Sequence, residues 1–167
     1  MYLKENYITN YEHLKHIIEK CEKEEIISID TEFIREKTFF PKLCLIQLAT
    51  SKDCYIIDVL NLKNLSPINK LLNNKKIKKI FHSPKQDIEI FYNLFNRLPK
   101  NIFDTQIAYS FLHDEYQISY EKIIFKLLNK KIDKKFQYYE WDIRPLSDEQ
   151  LEYAINDVYY LRKLFIR

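Results

Sequence analysis

Five residues carry chemistry by their type and spacing. Asp30 and Glu32 stand two apart in Asp30-Thr31-Glu32, directly after the apolar run Ile26-Ile27-Ser28-Ile29. Residues i and i+2 of a strand share a face, so the two carboxylates project side by side. Two acids at the end of an apolar strand are costly unless a cation pairs them, and Mg²⁺ or Mn²⁺, which favour hard carboxylate oxygens, fit that need. Tyr153 and Asp157 lie four apart among Ala154 and Val158, which predicts one inward face of a helix. A phenol one turn from a carboxylate is placed to position a water on the same metal. Asp87 falls in the first turn of a helix predicted after His82-Ser83-Pro84. Each spacing alone is met better by a plainer account: an acid at a turn, a tyrosine in a core, an aspartate favoured by a helix dipole.

The elements that must position these residues are legible. Asn10 caps a predicted helix to about Cys21, with Leu14, Ile17 and Ile18 on its buried stripe. Strands are predicted at Ile26–Asp30, Leu43–Ala49 and Cys54–Asp58, the last two joined by a Ser51-Lys52-Asp53 turn. A short helix over Pro67–Leu72 ends at Asn73-Asn74, where glycine is usual, and Ile77–Phe81 reads as a fourth strand. Pro84 opens a helix whose apolar face carries Ile88, Phe91, Leu94 and Phe95. Ile102–Asp104 is a brief strand, Asp104 caps a helix through Phe111, and Ser119–Leu128 is another helix. Ser147 and Gln150 form a capping box for a last helix toward Arg167, with Leu151, Ala154, Val158 and Leu161 inward. Strands first and helices later predict an α/β domain on a mixed sheet flanked by helices.

The 167 residues suit one domain, 1–167, and 46% apolar with 31% charged residues argues for a packed core rather than disorder. Lys plus Arg is 27 against 24 acids, a net charge of +3 compatible with a polyanionic partner. There is no glycine, where about a dozen would be average. That absence excludes the phosphate-cradling Walker loop, the dinucleotide fingerprint and the nucleophile elbow. Left-handed turns must then fall to Asn, Asp or Lys, with some cost in stability. Cys21, Cys44 and Cys54 lack metal spacing and read as buried free thiols. His13 and His16 share a helix face without a third ligand. No apolar stretch reaches the roughly 18 residues of a membrane span, and Met-Tyr-Leu-Lys-Glu is no signal peptide; a cytoplasmic protein without membrane contact is expected. Two basic runs, Lys75-Lys76 with Lys78-Lys79 and Lys130-Lys131 with Lys134-Lys135, are solvated faces or, if they border the acids, phosphate attractors.

The order Asp-x-Glu, then Asp, then Tyr-x-x-x-Asp resembles the DEDDy branch of the DEDD 3′–5′ exonucleases, and the surrounding residues resemble ribonuclease D. Asp30 to Arg35 with Thr38 to Leu48 is similar to that family's first motif and following strand. Phe81 to Asp87 is similar to its second motif, and Phe103-Asp104-Thr105-Gln106 to the segment after it. Trp141, Arg144-Pro145-Leu146-Ser147 and Gln150 to Val158 are similar to its last motif. The resemblance implies a ribonuclease H-like exonuclease fold and two divalent cations, Mg²⁺ or Mn²⁺. It also implies hydrolysis of RNA with a free 3′ end, such as a tRNA precursor, to nucleoside 5′-monophosphates. It assigns metal binding to Asp30, Glu32, Asp87 and Asp157, with Asp30 bridging both ions, and orientation of the attacking water to Tyr153. Thr31, Phe33, Arg35 and His82 become candidate substrate contacts; Phe33 is placed to stack on a base, Arg35 and Lys37 to meet phosphate. His113 to Gln117 replaces a glycine turn of the family and Lys135 a serine, so substrate fit departs from the pattern there. Without the family's HRDC domains after Arg167, weak or distributive RNA binding is expected. A DNA exonuclease of the same branch and a catalytically silent RNA-binding module are the alternatives.

Overall fold

Strand β2 sets the frame, and its neighbours differ on its two sides. In the computed structural model, which describes residues 6–35, 39–132 and 139–167, the chain opens with β1 (Tyr7–Ile8) and α1 (Tyr11–Cys21), followed by β2 (Ile26–Ile34). β3 (Lys42–Ala49) and β4 (Cys54–Asp58) complete an antiparallel meander, and α2 (Ser66–Asn73) leads to β5 (Lys78–Phe81). Then come α3 (Lys85–Phe95), β6 (Ile102–Asp104), α4 (Thr105–Leu112), α5 (Tyr120–Leu128) and α6 (Asp148–Ile166). The sheet order is β1-β4-β3-β2-β5-β6, with β1 parallel to β4, and β5 parallel to both β2 and β6. This is the predicted mixed sheet of an α/β fold. Expectations placed on Lys37, Thr38, Lys134 and Lys135 lie outside the described residues.

The local signals act as anticipated at the helix starts. Asn10 accepts from the His13 N–H, Asp104 from the Gln106 N–H, and Ser147 and Gln150 close a reciprocal capping box. One core lies between the sheet and α1, α2 and α3, built on Leu14, Ile27, Ile29, Ile46, Leu48 and Phe91 among others. On the opposite face α6 packs Leu151 and Ala154 over Cys44, Leu45, Ile56 and Trp141. The β2–β3 register shifts between Glu32 and Phe33, where Leu45 and then Leu43 are the partners, so Cys44 is the extra residue of a bulge. The bulge lets the consecutive Cys44 and Leu45 both face α6.

Several expectations need correction. β2 does not end at Asp30: it runs on to Ile34 because β3 keeps pairing it, Asp30 with Gln47 and Glu32 with Leu45. The buried face of α3 is Asp87, Ile90 and Phe91, with Leu94 exposed, because the helix turns its carboxylate toward β2. The first basic run is a solvated face at Lys75 and Lys76, as favoured, but not at Lys78 and Lys79, and it does not border the acids. Lys78 pairs with Ile26, four residues and about 13 Å of strand from Asp30. Its ammonium lies over the rings of Phe103 and Phe165. Lys79 is fully buried, its ammonium donating to the carbonyls of Asn74 (2.6 Å) and Ile77 (2.8 Å). Among the described residues the left-handed positions fall to Ser83, Asn96, Asn101 and Asn129, not to Asp or Lys. Asn74 stays extended, so the end of α2 needs no left-handed residue. All three cysteines are free, and Cys54 is only partly buried.

Candidate active site

The place of the acids follows from strand lengths. β5 pairs β2 only from Ile26 to Ser28 and stops at Phe81, whereas β2 continues to Ile34. From Asp30 onward β2 has β3 on one side and an opening on the other. Such openings beyond the carboxyl ends of strands are where α/β sheets bind ligands. A cleft of about 790 Å³ occupies it, lined by Asp30 to Arg35, His82, Ser83, Gln86, Asp87, Tyr153 and Asp157. Thus all nine residues singled out in the sequence border one cavity.

Two contacts fix α6 across β2 and a third ties it to α5. The Ser28 hydroxyl donates to the Val158 carbonyl (2.7 Å), the Arg162 guanidinium to the Ile26 carbonyl (2.5 Å), and the Tyr120 hydroxyl to the Asp157 carbonyl. They hold Asp157 over the Asp30–Glu32 face. Thr31 points to the other face of β2, where its hydroxyl donates to Asp87 at 2.5 Å. Four carboxylates therefore converge from β2, α3 and α6.

Their electrostatics is that of uncompensated negative charge. Burial, then the charges of Asp87 and Asp157, hold the Asp30 carboxyl well above the usual range. Burial and the charges of Asp30, Asp157 and Asp87 do the same to Glu32. Burial lifts Asp87 to about 6 against the Thr31 hydrogen bond, and Asp157 to about 7 against one from Tyr153. Tyr153 itself is raised, by burial and by the charges of Asp157, Glu32 and Asp30, so it stays a neutral phenol. No basic side chain within the protein is paired with these acids among the described hydrogen bonds and salt bridges. A divalent cation fits the donor set, all of it hard oxygen. Among the described residues no group of three or more His, Cys, Asp or Glu is drawn together closely enough to hold a metal ion as it stands. Carboxylates spread along a cleft suit a hard divalent cation that keeps waters in its shell.

The four candidate substrate contacts differ. Phe33 borders the cleft while packing partly on the core. Arg35 reaches Glu89 at 3.3 Å, both ends well exposed, a pairing weak enough for phosphate to displace. Both nitrogens of His82 are engaged, with the Thr105 hydroxyl (2.9 Å) and the Ile118 carbonyl (3.1 Å), and Thr31 is taken up with Asp87. The sequence reading missed Tyr120, Tyr139, Glu140 and Asp142, which also line the cleft. No local period marks them; Tyr120 is one of 13 tyrosines.

A family model described as 3′–5′ exonuclease matches residues 6–167. This chain belongs to the 3′–5′ exonuclease family. Divalent-metal use goes with that family, and the ribonuclease resemblance of the motifs has a counterpart in whole-chain comparison. Ribonuclease D of Gluconacetobacter diazotrophicus is 40% identical over 159 residues, 95% of this chain and 40% of that protein. Ribonuclease D of Bartonella henselae is 42% identical over 160 residues, again 95% of this chain and 39% of the relative. This 3′–5′ exonuclease chain thus spans about two fifths of the length of these relatives. Among solved structures, Escherichia coli RNase D, an exoribonuclease involved in structured RNA processing, superposes with a TM-score of 0.91 at 33% identity. That match covers 96% of this chain and 44% of the other. The fold is therefore the ribonuclease H-like exonuclease fold. No described helix is long and apolar enough to cross a membrane.

Proposed function

We propose that the chain is a 3′–5′ exoribonuclease domain that hydrolyses RNA from a free 3′ end, with structured RNA such as tRNA precursors as substrate, releasing nucleoside 5′-monophosphates in the cytoplasm. The observation that carries the reading is the four-carboxylate wall of the cleft with Tyr153 hydrogen-bonded to Asp157. Two Mg²⁺ or Mn²⁺ ions, when bound, supply a water acidic enough to attack and neutralise charge on the attacking and leaving oxygens. Asp30, Glu32 and Asp157 would hold one ion, and Asp30 with Asp87 the other. Tyr153, kept neutral, orients the water at the phosphorus, and the 3′ oxygen of the penultimate nucleotide leaves. Phe33 supplies a stacking face and Arg35 a phosphate contact at the mouth of the cleft. Thr31 and His82 act through Asp87 and the cleft wall rather than on RNA.

The test is a time course on 5′-labelled single-stranded RNA and matched DNA, with Mn²⁺, with Mg²⁺ and with chelator. The expected result is a metal-dependent ladder that shortens the RNA from its 3′ end and is lost in Asp30→Ala and Asp157→Ala proteins that still bind RNA. Equal activity in either variant would overturn the assignment. An equal ladder on DNA would replace the RNA reading with a general exonuclease.

A further inference from the structure

One charged network lies outside the cleft yet holds one of its walls. Asp58, at the end of β4, is fully buried. Arg144 grips it with two prongs, Nε to Oδ2 at 2.7 Å and Nη2 to Oδ1 at 2.8 Å. Tyr7 and Asn61 also donate to Asp58, which fixes it on the sheet. The remaining arm of the guanidinium, Nη1, donates to the carbonyls of Trp141 (2.7 Å) and Ile143 (2.8 Å). One side chain therefore ties the segment before α6 to the end of β4. That segment contributes Tyr139, Glu140 and Asp142 to the cleft. Its Trp141 is buried, with its ring 6.0 Å from that of Tyr153 at 34°. Asp142 adds only an exposed bridge to Lys42, which is weak by comparison.

We infer that Arg144 is a positioning residue of the exonuclease: its clamp on Asp58 seats Trp141 against the Tyr153 ring and holds the Tyr139–Asp142 wall where the RNA end must lie. Arg144 does not line the cleft, so its effect passes through Trp141 and the wall. The geometry needs a planar fork with donors left over for two carbonyls, which lysine lacks. The role rests on the proposed function in so far as Tyr153 orients the attacking water. The seating of Trp141 stands independently of it.

The chain has one tryptophan and 13 tyrosines, so fluorescence excited at the red edge, where tyrosine does not absorb, reports on Trp141 alone. In Arg144→Ala the emission is expected to shift to longer wavelength and to become accessible to iodide. kcat should fall by about 10²-fold, the scale of an ångström of misplacement, and KM should rise. Mn²⁺ binding, measured by calorimetry, should hold, because its ligands sit on β2, α3 and α6. Ethylguanidinium should restore emission and rate in Arg144→Ala, and Arg144→Lys should remain defective. Since Arg144→Ala strands a buried carboxylate, the pair Arg144→Gln with Asp58→Asn removes both charges and should fold, by circular dichroism, with the same fluorescence and kinetic defects. A folded double variant with native emission and native kcat would overturn the clamp, as would loss of Mn²⁺ binding in step with activity. If the unaltered protein degrades no RNA, the proposed function fails, and the emission of the double variant still decides whether Arg144 seats Trp141.

Discussion

Thr31 stands between the two acids of β2 yet faces the other side of the sheet, and its hydroxyl is the polar group that holds Asp87. A hydrogen bond to a charged carboxylate favours the ionised form and is worth about 1.5–3 kcal/mol. Without it Asp87, already lifted to about 6 by burial, would be harder still to ionise and less well aimed. Supporting bonds of this kind typically change metal affinity by roughly 10–100-fold. Thr31→Val keeps the β-branched shape that suits the strand and removes only the donor. It is expected to raise the Mg²⁺ concentration for half-maximal activity by roughly tenfold or more, while Thr31→Ser stays near the parent. Titrating initial rates against Mg²⁺ checks this, and an unshifted midpoint in Thr31→Val would remove Thr31 from the site. Asp30 with Glu32 and Tyr153 with Asp157 were legible as short spacings on one element, and Asp87 only through the order in which the three motifs follow one another. Thr31 was visible only as the middle of a motif, since its partner lies 56 residues away.

At the scale of elements, helix starts were the most legible features because a cap is a local contact: Asn10, Asp104 and Ser147 all bond within three residues. Features held by distant pairing were not. β1 is two residues long and exists through its ladder with β4, and the acid-bearing half of β2 runs against strand propensity because β3 holds it. The cost of lacking glycine is also an element-scale matter. Asn96 and Asn129 end α3 and α5 in the left-handed region, their N–H groups bonded to the Tyr92 and Phe125 carbonyls. Asn visits that region readily, and glycine there would add about 0.4–1 kcal/mol of unfolded-state entropy. The two effects nearly cancel, so Asn96→Gly and Asn129→Gly should leave stability within about 0.5 kcal/mol. Ser83 differs: at φ 54° it lacks the tolerance of Asn, and the strain of about 1–2 kcal/mol exceeds the entropic loss. Ser83→Gly is expected to stabilise by about 0.5–1 kcal/mol in urea unfolding. Glycine keeps the N–H that bonds Asp104, so a destabilised Ser83→Gly would show that unfolded-state entropy outweighs the strain at this position.

For the molecule as a whole, the acids make the metal-free protein a structure that stores repulsion, and its sign with pH follows. Carboxyl groups raised in the folded state bind protons that the unfolded chain has already released, so their contribution to stability is present at low pH and is lost as pH rises through the folded values. For Asp87 and Asp157 those are about 6 and about 7, and Asp30 and Glu32 shift in the same direction. Asp58 does not enter this window: burial would raise it, but Arg144, Tyr7 and Asn61 hold it below the usual carboxylate value. Buried His82, lowered from 6.5, and Lys79, lowered to about 8 by burial, act oppositely, two groups against four. The chelated protein should therefore melt at a lower temperature at pH 8 than at pH 5. Mg²⁺ or Mn²⁺ at about 100 times its Kd adds about 2.7 kcal/mol, or roughly 5–10 °C for a chain of this size. That gain should appear at pH 8 and shrink at pH 5, where the ligands hold protons. Asp30→Asn removes the most crowded charge, so it should melt above the parent at pH 8 in chelator and gain little from metal. Calorimetric melts at the two pH values, with and without metal, carry the comparison. Equal melting temperatures for parent and Asp30→Asn in chelator at pH 8 would mean that water and loop adjustment already relieve the repulsion, and that the cleft is not poised for a cation.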